Sequence, residues 1–434
     1  EPLARLTPQA RIDYALRSKK EMKLLFFTVV AISTASLSIS APSYTIELID
    51  GMEDLYNPSL NSRGDLVAGK YLWRNGNLIE LGNLGRDSTV AEDINDHGII
   101  VGRSGKENGT TAAFIWENGT MSELPSFGEG QNSFATAINN YGETVGYSTD
   151  GVKVVDSSIT CPDEPDPIFP LPNPFPCTSY YTTNRRGNFW LERIEATDLG
   201  TIDSDKASLG RAINDLGHMV GESRPTSSAG YQNGVFFHVN GTNQIIFRHS
   251  IGGDYAYVND LNNMDEAVGK IDMGENNSVA YLWRKEELIH FDGLENPNTP
   301  NAINDFGDIV GVRNNSVAYI YTNGIFYDLL DCVDNPGDWS SLKQAYDINN
   351  QGQIVGIGRI GSSNTSYMFL LTPTSKDKKI ELISSSDRIV IAYSEVLQKT
   401  DDLASEWSDV DEDSPNPEIA DPAKNKEFFR IKSD

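Results

Sequence analysis

Ile94-Asn95-Asp96-His97-Gly98-Ile99-Ile100-Val101-Gly102 is the stretch that decides the fold, because its outline returns along the chain. An apolar residue, Asn, a turn ending in Gly and a strand closing in Val-Gly recur at Ile138-Asn139 to Val145-Gly146 and at Ile213-Asn214 to Val220-Gly221. Further copies run from Leu261-Asn262 to Val268-Gly269, Ile303-Asn304 to Val310-Gly311 and Ile348-Asn349 to Val355-Gly356. A looser copy joins Leu60-Asn61 to Val67-Ala68-Gly69. The seven asparagines are separated by 34, 44, 75, 48, 42 and 45 residues. A period of about 40–45 residues with several short strands is the size of a four-stranded propeller blade. The 75-residue interval is one such period plus an insertion over about 149–186.

Each repeat reads as four strands, a to d. Strand a ends at the apolar-Asn pair. The Asn side chain can bond backbone groups ahead of it, and Gly accepts a positive φ, so Asn61, Asn95, Asn139, Asn214, Asn262, Asn304 and Asn349 read as turn formers. The Gly that closes strand b is expected where backbones crowd the central axis. Strand c is aromatic, as in Phe114-Ile115-Trp116, Tyr281-Leu282-Trp283 and Tyr367-Met368-Phe369, with rings placed to fill the wedge between blades. Asn75-Gly76, Asn118-Gly119, Asn240-Gly241 and Asn323-Gly324 then supply primed hairpin turns.

Strands a, b and c occur seven times, but d occurs only six times within the repeats. The missing copy stands ahead of the first repeat at Tyr44-Thr45-Ile46-Glu47-Leu48, with Leu48 aligned to Leu81, Leu124 and Leu199. The expected fold is therefore all-β: a seven-bladed propeller over 42–373, closed by the N-terminal strand with Tyr44, Ile46 and Leu48 buried. Lys379-Ile380-Glu381-Leu382-Ile383 is a competitor for the same place. Residues 374–434 form a separate small acidic β module.

The repeats resemble the HAF repeat family of extracellular bacterial proteins, through Ala112-Ala113-Phe114-Ile115-Trp116 and Ala280-Tyr281-Leu282-Trp283. The likeness spans roughly 44–373, although the His of the family's namesake triplet is replaced in every copy. It implies an exported, propeller-like protein and carries over no catalytic residue. The C-terminal segment resembles a short β module found at the ends of exported bacterial proteins, through Trp407-Ser408-Asp409-Val410 and Phe428-Phe429-Arg430-Ile431-Lys432.

Met22-Lys23, the apolar run Leu24–Ile32 and the small-residue exit to Ala41 form a secretory signal, about 22–41, following an upstream extension. The run is too short to span a membrane. The formal net charge is −27. Removing residues 1–40 takes away three acids and six bases, which leaves 59 acidic and 29 basic residues and a charge of −30. Such a field argues against nucleic acid as a partner, whereas a protein or glycan remains compatible with it.

The insertion carries Cys161 and Cys177 around seven prolines, and in an exported protein these cysteines are natural disulfide partners. Phe169, Phe175, Tyr180 and Tyr181 are its candidate partner contacts. Calcium has one candidate, Asp409-Val410-Asp411-Glu412-Asp413, but Ser414 and Ala420 stand where an EF-hand needs Gly and Glu, so no cofactor is expected. The five histidines make no His-Glu-x-x-His pattern, and no Gly-x-Ser-x-Gly elbow is present. The reading is an exported, non-catalytic binding or surface-interaction scaffold. The alternatives are a carbohydrate-active or other hydrolytic propeller using carboxylates near the channel, and a structural envelope component.

Overall fold

The computed structural model describes residues 41–127, 132–155, 181–191, 195–202, 205, 207–224, 233–248, 255–272, 278–291, 298–314 and 316–374, together with short strands beyond residue 379. Seven four-stranded antiparallel sheets follow one another as the blades of a propeller. Blade 2 shows the pattern: a is Val90–Ile94, b Ile100–Gly105, c Thr111–Glu117 and d Thr120–Glu123. Strand a lines the axis and strand d forms the rim, which is why the residues of blade 2 strand d are largely exposed.

Blade 7 consists of Trp339–Ile348, Ile354–Ile360 and Tyr367–Pro373, and its fourth strand is Tyr44–Ile49. That N-terminal strand pairs with Tyr367–Pro373, strand c of the blade, from Tyr44↔Pro373 to Ile49↔Met368, so the ring closes as expected. The competitor strand instead lies in a three-stranded sheet, where Ile380–Ser384 pairs with Ile389–Tyr393.

The register of the closing strand differs from expectation by one residue. Leu48 faces Phe369, as Glu123 faces Phe114 in blade 2, so Ile49 and not Leu48 is the counterpart of Leu124. Tyr44 and Ile49 are buried and Ile46 is partly so, whereas Leu48 is 39% exposed. Tyr44 and Ile46 keep the expected inward side, and the alternation breaks only between Leu48 and Ile49, as it does between Glu123 and Leu124.

Each of the seven blade interfaces holds its own apolar cluster. In blade 2, Phe114 and Trp116 pack toward blade 1 with Leu72 and Leu81, while Ile115 packs toward blade 3 with Ile138 and Trp190. The Val-Gly glycines stand where strand a backbone crowds them. A Cβ on Gly102, Gly146, Gly221, Gly269, Gly311 or Gly356 would run into a strand a carbonyl of its own blade. In four of them, Gly102, Gly221, Gly269 and Gly356, it would also meet the strand c ring. The crowding lies inside each sheet, against the backbone of strand a, the strand that lines the axis.

In blade 3, strands b and c are lengthened to Thr144–Val155 and Tyr181–Leu191, and their pairing continues to Val155↔Tyr181. Ser148 is level with Ser133, the start of strand a, so this hairpin runs past the end of the channel at which the a strands begin. Cys161, Cys177, Phe169, Phe175 and Tyr180 lie outside the described residues, as do the signal segment to Ser40 and most of the acidic run after Asp409. No described helix is long and apolar enough to cross a membrane.

Candidate functional site: the two mouths of the channel

Strand a of every blade runs from one mouth of the central channel to the other. At its far end stands the repeat Asn. Asn139 is typical: its Oδ1 accepts from the backbone N–H groups of Tyr141 (3.1 Å) and Glu143 (2.9 Å), which holds the turn. Its Nδ2 also donates to the carbonyl of Asn214 in the next blade (3.0 Å). The same bond joins Asn61 to Asn95, Asn95 to Asn139, Asn214 to Asn262, Asn262 to Asn304, Asn304 to Asn349 and Asn349 back to Asn61. Seven amides thus form a closed circle, with every blade gripping its successor in the same sense. In blade 5 the turn ends in Asp265 rather than Gly, at φ 58.

A second circle is made by the following residues: Ser62, Asp96, Asn140, Asp215, Asn263, Asp305 and Asn350. Asp and Asn alternate, and each Asp lies between donors. Asp215 accepts from the Asn140 backbone (2.8 Å) and from the side-chain amides of Asn140 (3.1 Å) and Asn263 (3.3 Å). Asp305 accepts from the Asn263 backbone (2.8 Å) and from the amides of Asn263 (3.0 Å) and Asn350 (2.8 Å). Alternation cannot close in a ring of odd number. Ser62 occupies the odd place and donates its hydroxyl to Asp96 (2.6 Å) without adding a charge. Burial raises the Asp215 carboxyl to about 7 against the pull of these donors, and it raises Asp305 as well. This turn-side mouth encloses about 170 Å³.

The other mouth encloses about 320 Å³ and is lined from all seven blades. In blades 2 to 7 strand a carries a β-bulge three residues before the repeat Asn. The bulged residues are Glu92, Thr136, Arg211, Asn259, Asn301 and Tyr346, and Pro58 stands there in blade 1. Bulges re-aim side chains and are enriched beside functional sites. Thr136 Oγ1 lies 3.0 Å from the carbonyl of Gly210, while Asn259 and Asn301 donate to the carbonyls of Pro300 and Ala345 (2.6 Å each). Glu92 is paired with Arg103. Arg211 Nε donates to Glu222 (2.9 Å), which is almost wholly buried and is also held by Arg224.

One residue deeper, three blades carry Asp93, Asp260 and Asp347. Each bridges its own blade to the next: Asp260 accepts from the N–H groups of Leu261 and Ile303 (2.8 Å each). Asp93 and Asp347 do the same for Ile138 and Leu60, with Ser59 donating to both. Burial first, and then the neighbouring carboxylates, push Asp260 up to about 7; burial is also the main cause that brings Asp347 to about 6. No group of three or more acidic, His or Cys side chains among the described residues is placed to hold a metal.

Sequence pattern identifies the seven asparagines but only in their turn role. The links between blades, the alternating circle and the bulged positions emerge from the structure alone. Of these, the alternation has a visible signal, in the residue after each repeat Asn.

No known protein family matches the chain, and no curated protein matches it either. Solved structures with a similar course include a puromycin hydrolase, at 9% identity over 80% of this chain and 59% of that one, with TM-score 0.49. An acylaminoacyl peptidase is 12% identical over 79% of this chain and 57% of its own, with TM-score 0.44. An oligogalacturonate lyase from Vibrio parahaemolyticus is 11% identical over 78% and 92%, with TM-score 0.45. The chain spans less than two thirds of the first two. No activity is carried over from any of them.

Proposed function

We propose that this protein is an exported, non-catalytic binding scaffold whose binding end is the bulge-side mouth. One observation carries the reading: seven equivalent positions hold Asn at the turn side, all bonded to one another, while the equivalent bulge positions hold seven residues of six kinds. Repeats built for mutual support use the same residue, and a site built for a ligand needs different groups at different places. The larger cavity and the lengthened blade 3 hairpin lie at that same end. Export is supported by the residues of 22–41.

The test is native mass spectrometry of the full chain after incubation with small-molecule extracts of the producing cell's envelope and medium. A compound retained unchanged, lost on Arg211→Met and kept on Met264→Ala at the turn side, is expected. Conversion of the retained compound to a product overturns the non-catalytic part of the reading.

A hydrolytic reading has one observation in its favour. Burial raises Asp260 to about 7 and Asp347 to about 6, so near neutral pH one can hold a proton while the other is ionised, as general acid–base chemistry requires. Against it, each carboxylate is held between two blades by backbone N–H groups, which favour its ionised form and oppose its service as an acid. In that reading Asp260→Asn abolishes product release from polysaccharides.

A further inference from the structure

We propose that the bulge-side mouth binds a neutral sugar residue, held along the arc of blades 4 to 7 by Arg211, Asn259, Asp260, Asn301 and Tyr346. The proposal rests on the reading of this mouth as the binding end and names its ligand class.

The arc is defined by what its groups have left to offer. The amide nitrogens of Asn259 and Asn301 are committed to the next blade's backbone, which fixes the plane of each amide. Their Oδ1 atoms have no hydrogen-bond partner among the described residues. Each oxygen of Asp260 accepts one backbone N–H and retains accepting capacity. Arg211 uses Nε on Glu222, and its terminal nitrogens have no partner among the described residues. The result is a row of preset acceptors with one fork of donors at its end, and a half-buried Tyr346 beyond it.

Three ligand chemistries can be weighed against this row. An ammonium group only donates, so it would satisfy the acceptors and leave the terminal nitrogens of Arg211 without an acceptor. A carboxylate only accepts, so it would suit Arg211 while facing Asp260 and two amide oxygens. A hydroxyl does both. Neighbouring hydroxyls of a sugar ring donate to Asn259, Asp260 and Asn301 and accept from Arg211, and Tyr346 offers a flat apolar face to the C–H side of the ring. A cavity of about 320 Å³ stands at the small end of ligand sites, which fits one or two sugar units. Because the amides are tied down before the ligand arrives, little is lost in ordering them.

The test is saturation-transfer NMR on the full chain with glucose, galactose, mannose, xylose, arabinose and their common neutral disaccharides, run beside putrescine and galacturonate. At least one neutral sugar is expected to bind. Arg211→Met and Asn301→Ala, each checked for an intact thermal transition, are expected to weaken it at least about tenfold, one lost charged or fixed hydrogen bond being worth roughly that factor. Met264→Ala is expected to leave it unchanged. Binding of putrescine or galacturonate alone, sensitive to Arg211→Met, overturns the sugar while leaving the mouth as the binding end. Binding of no probe overturns the sugar. Sugar binding that ignores both substitutions overturns the sugar at this arc and the reading of the mouth together.

Discussion

The two mouths of the channel are made by the same seven strands and do opposite things with them. At the turn side, a residue type repeated around the ring satisfies its own turn and its neighbour's carbonyl. At the bulge side, one extra residue in each strand of blades 2 to 7 turns a side chain of one of five kinds toward a cavity nearly twice as large. Identity between repeats marks the end that holds the ring together; difference marks the end free to specialise.

The contrast breaks first if the turn side tolerates substitution. Asn139→Ala removes the acceptor of two backbone N–H groups and the donor to Asn214, and is expected to cost about 3–5 kcal/mol in urea unfolding. A loss below about 1 kcal/mol would show that the amide circle is incidental.

Ser62→Asp places a second carboxylate beside Asp96 and is expected to cost about 2–3 kcal/mol, with Ser62→Asn costing clearly less. Equal losses would remove the parity argument.

Acidification acts on both mouths. Asp215 and Asp260 have folded-state values raised to about 7 and Asp347 to about 6, above the unfolded value of about 3.9. Their stabilising effect is full below the unfolded value and is lost as pH rises through about 6 to 7. The protein is therefore expected to be more stable at about pH 5 than at about pH 7.5, by roughly 1–2 kcal/mol for each group, read as a higher thermal midpoint. Asp260→Asn should flatten the slope, and an unchanged slope would contradict the assignment.

The smallest effect belongs to the bulge side. Asn301→Ala loses one link to Ala345 and is expected to cost about 1 kcal/mol in the same unfolding measurement. A loss matching that of Asn139→Ala would erase the difference between the mouths.

Blade number, strand order and closure by the N-terminal strand were legible because repetition and a count of d strands need no knowledge of contacts. The register of Tyr44–Ile49 was not, since Leu48 and Ile49 are both apolar and only pairing with Phe369 and Met368 distinguishes them. The amide circle was hidden for another reason. Asn139 and Asn214 are 75 residues apart, and a side chain that already has a local task gives no sign of a second one. Bulges leave no mark in composition, so Arg211, Asn259 and Asn301 read as ordinary strand residues.

The closing strand also sets the order of assembly. Thr45 meets Thr372 across a separation of 327 residues, so this strand can find its neighbour only after strand c of blade 7 has been made. Until then Tyr44 and Ile49 lack the blade 7 side of their apolar clusters, and blade 7 has an open edge. Chains cut before Tyr367 lack that partner, and with it the pairing that closes the ring, a contact an open solenoid does not have.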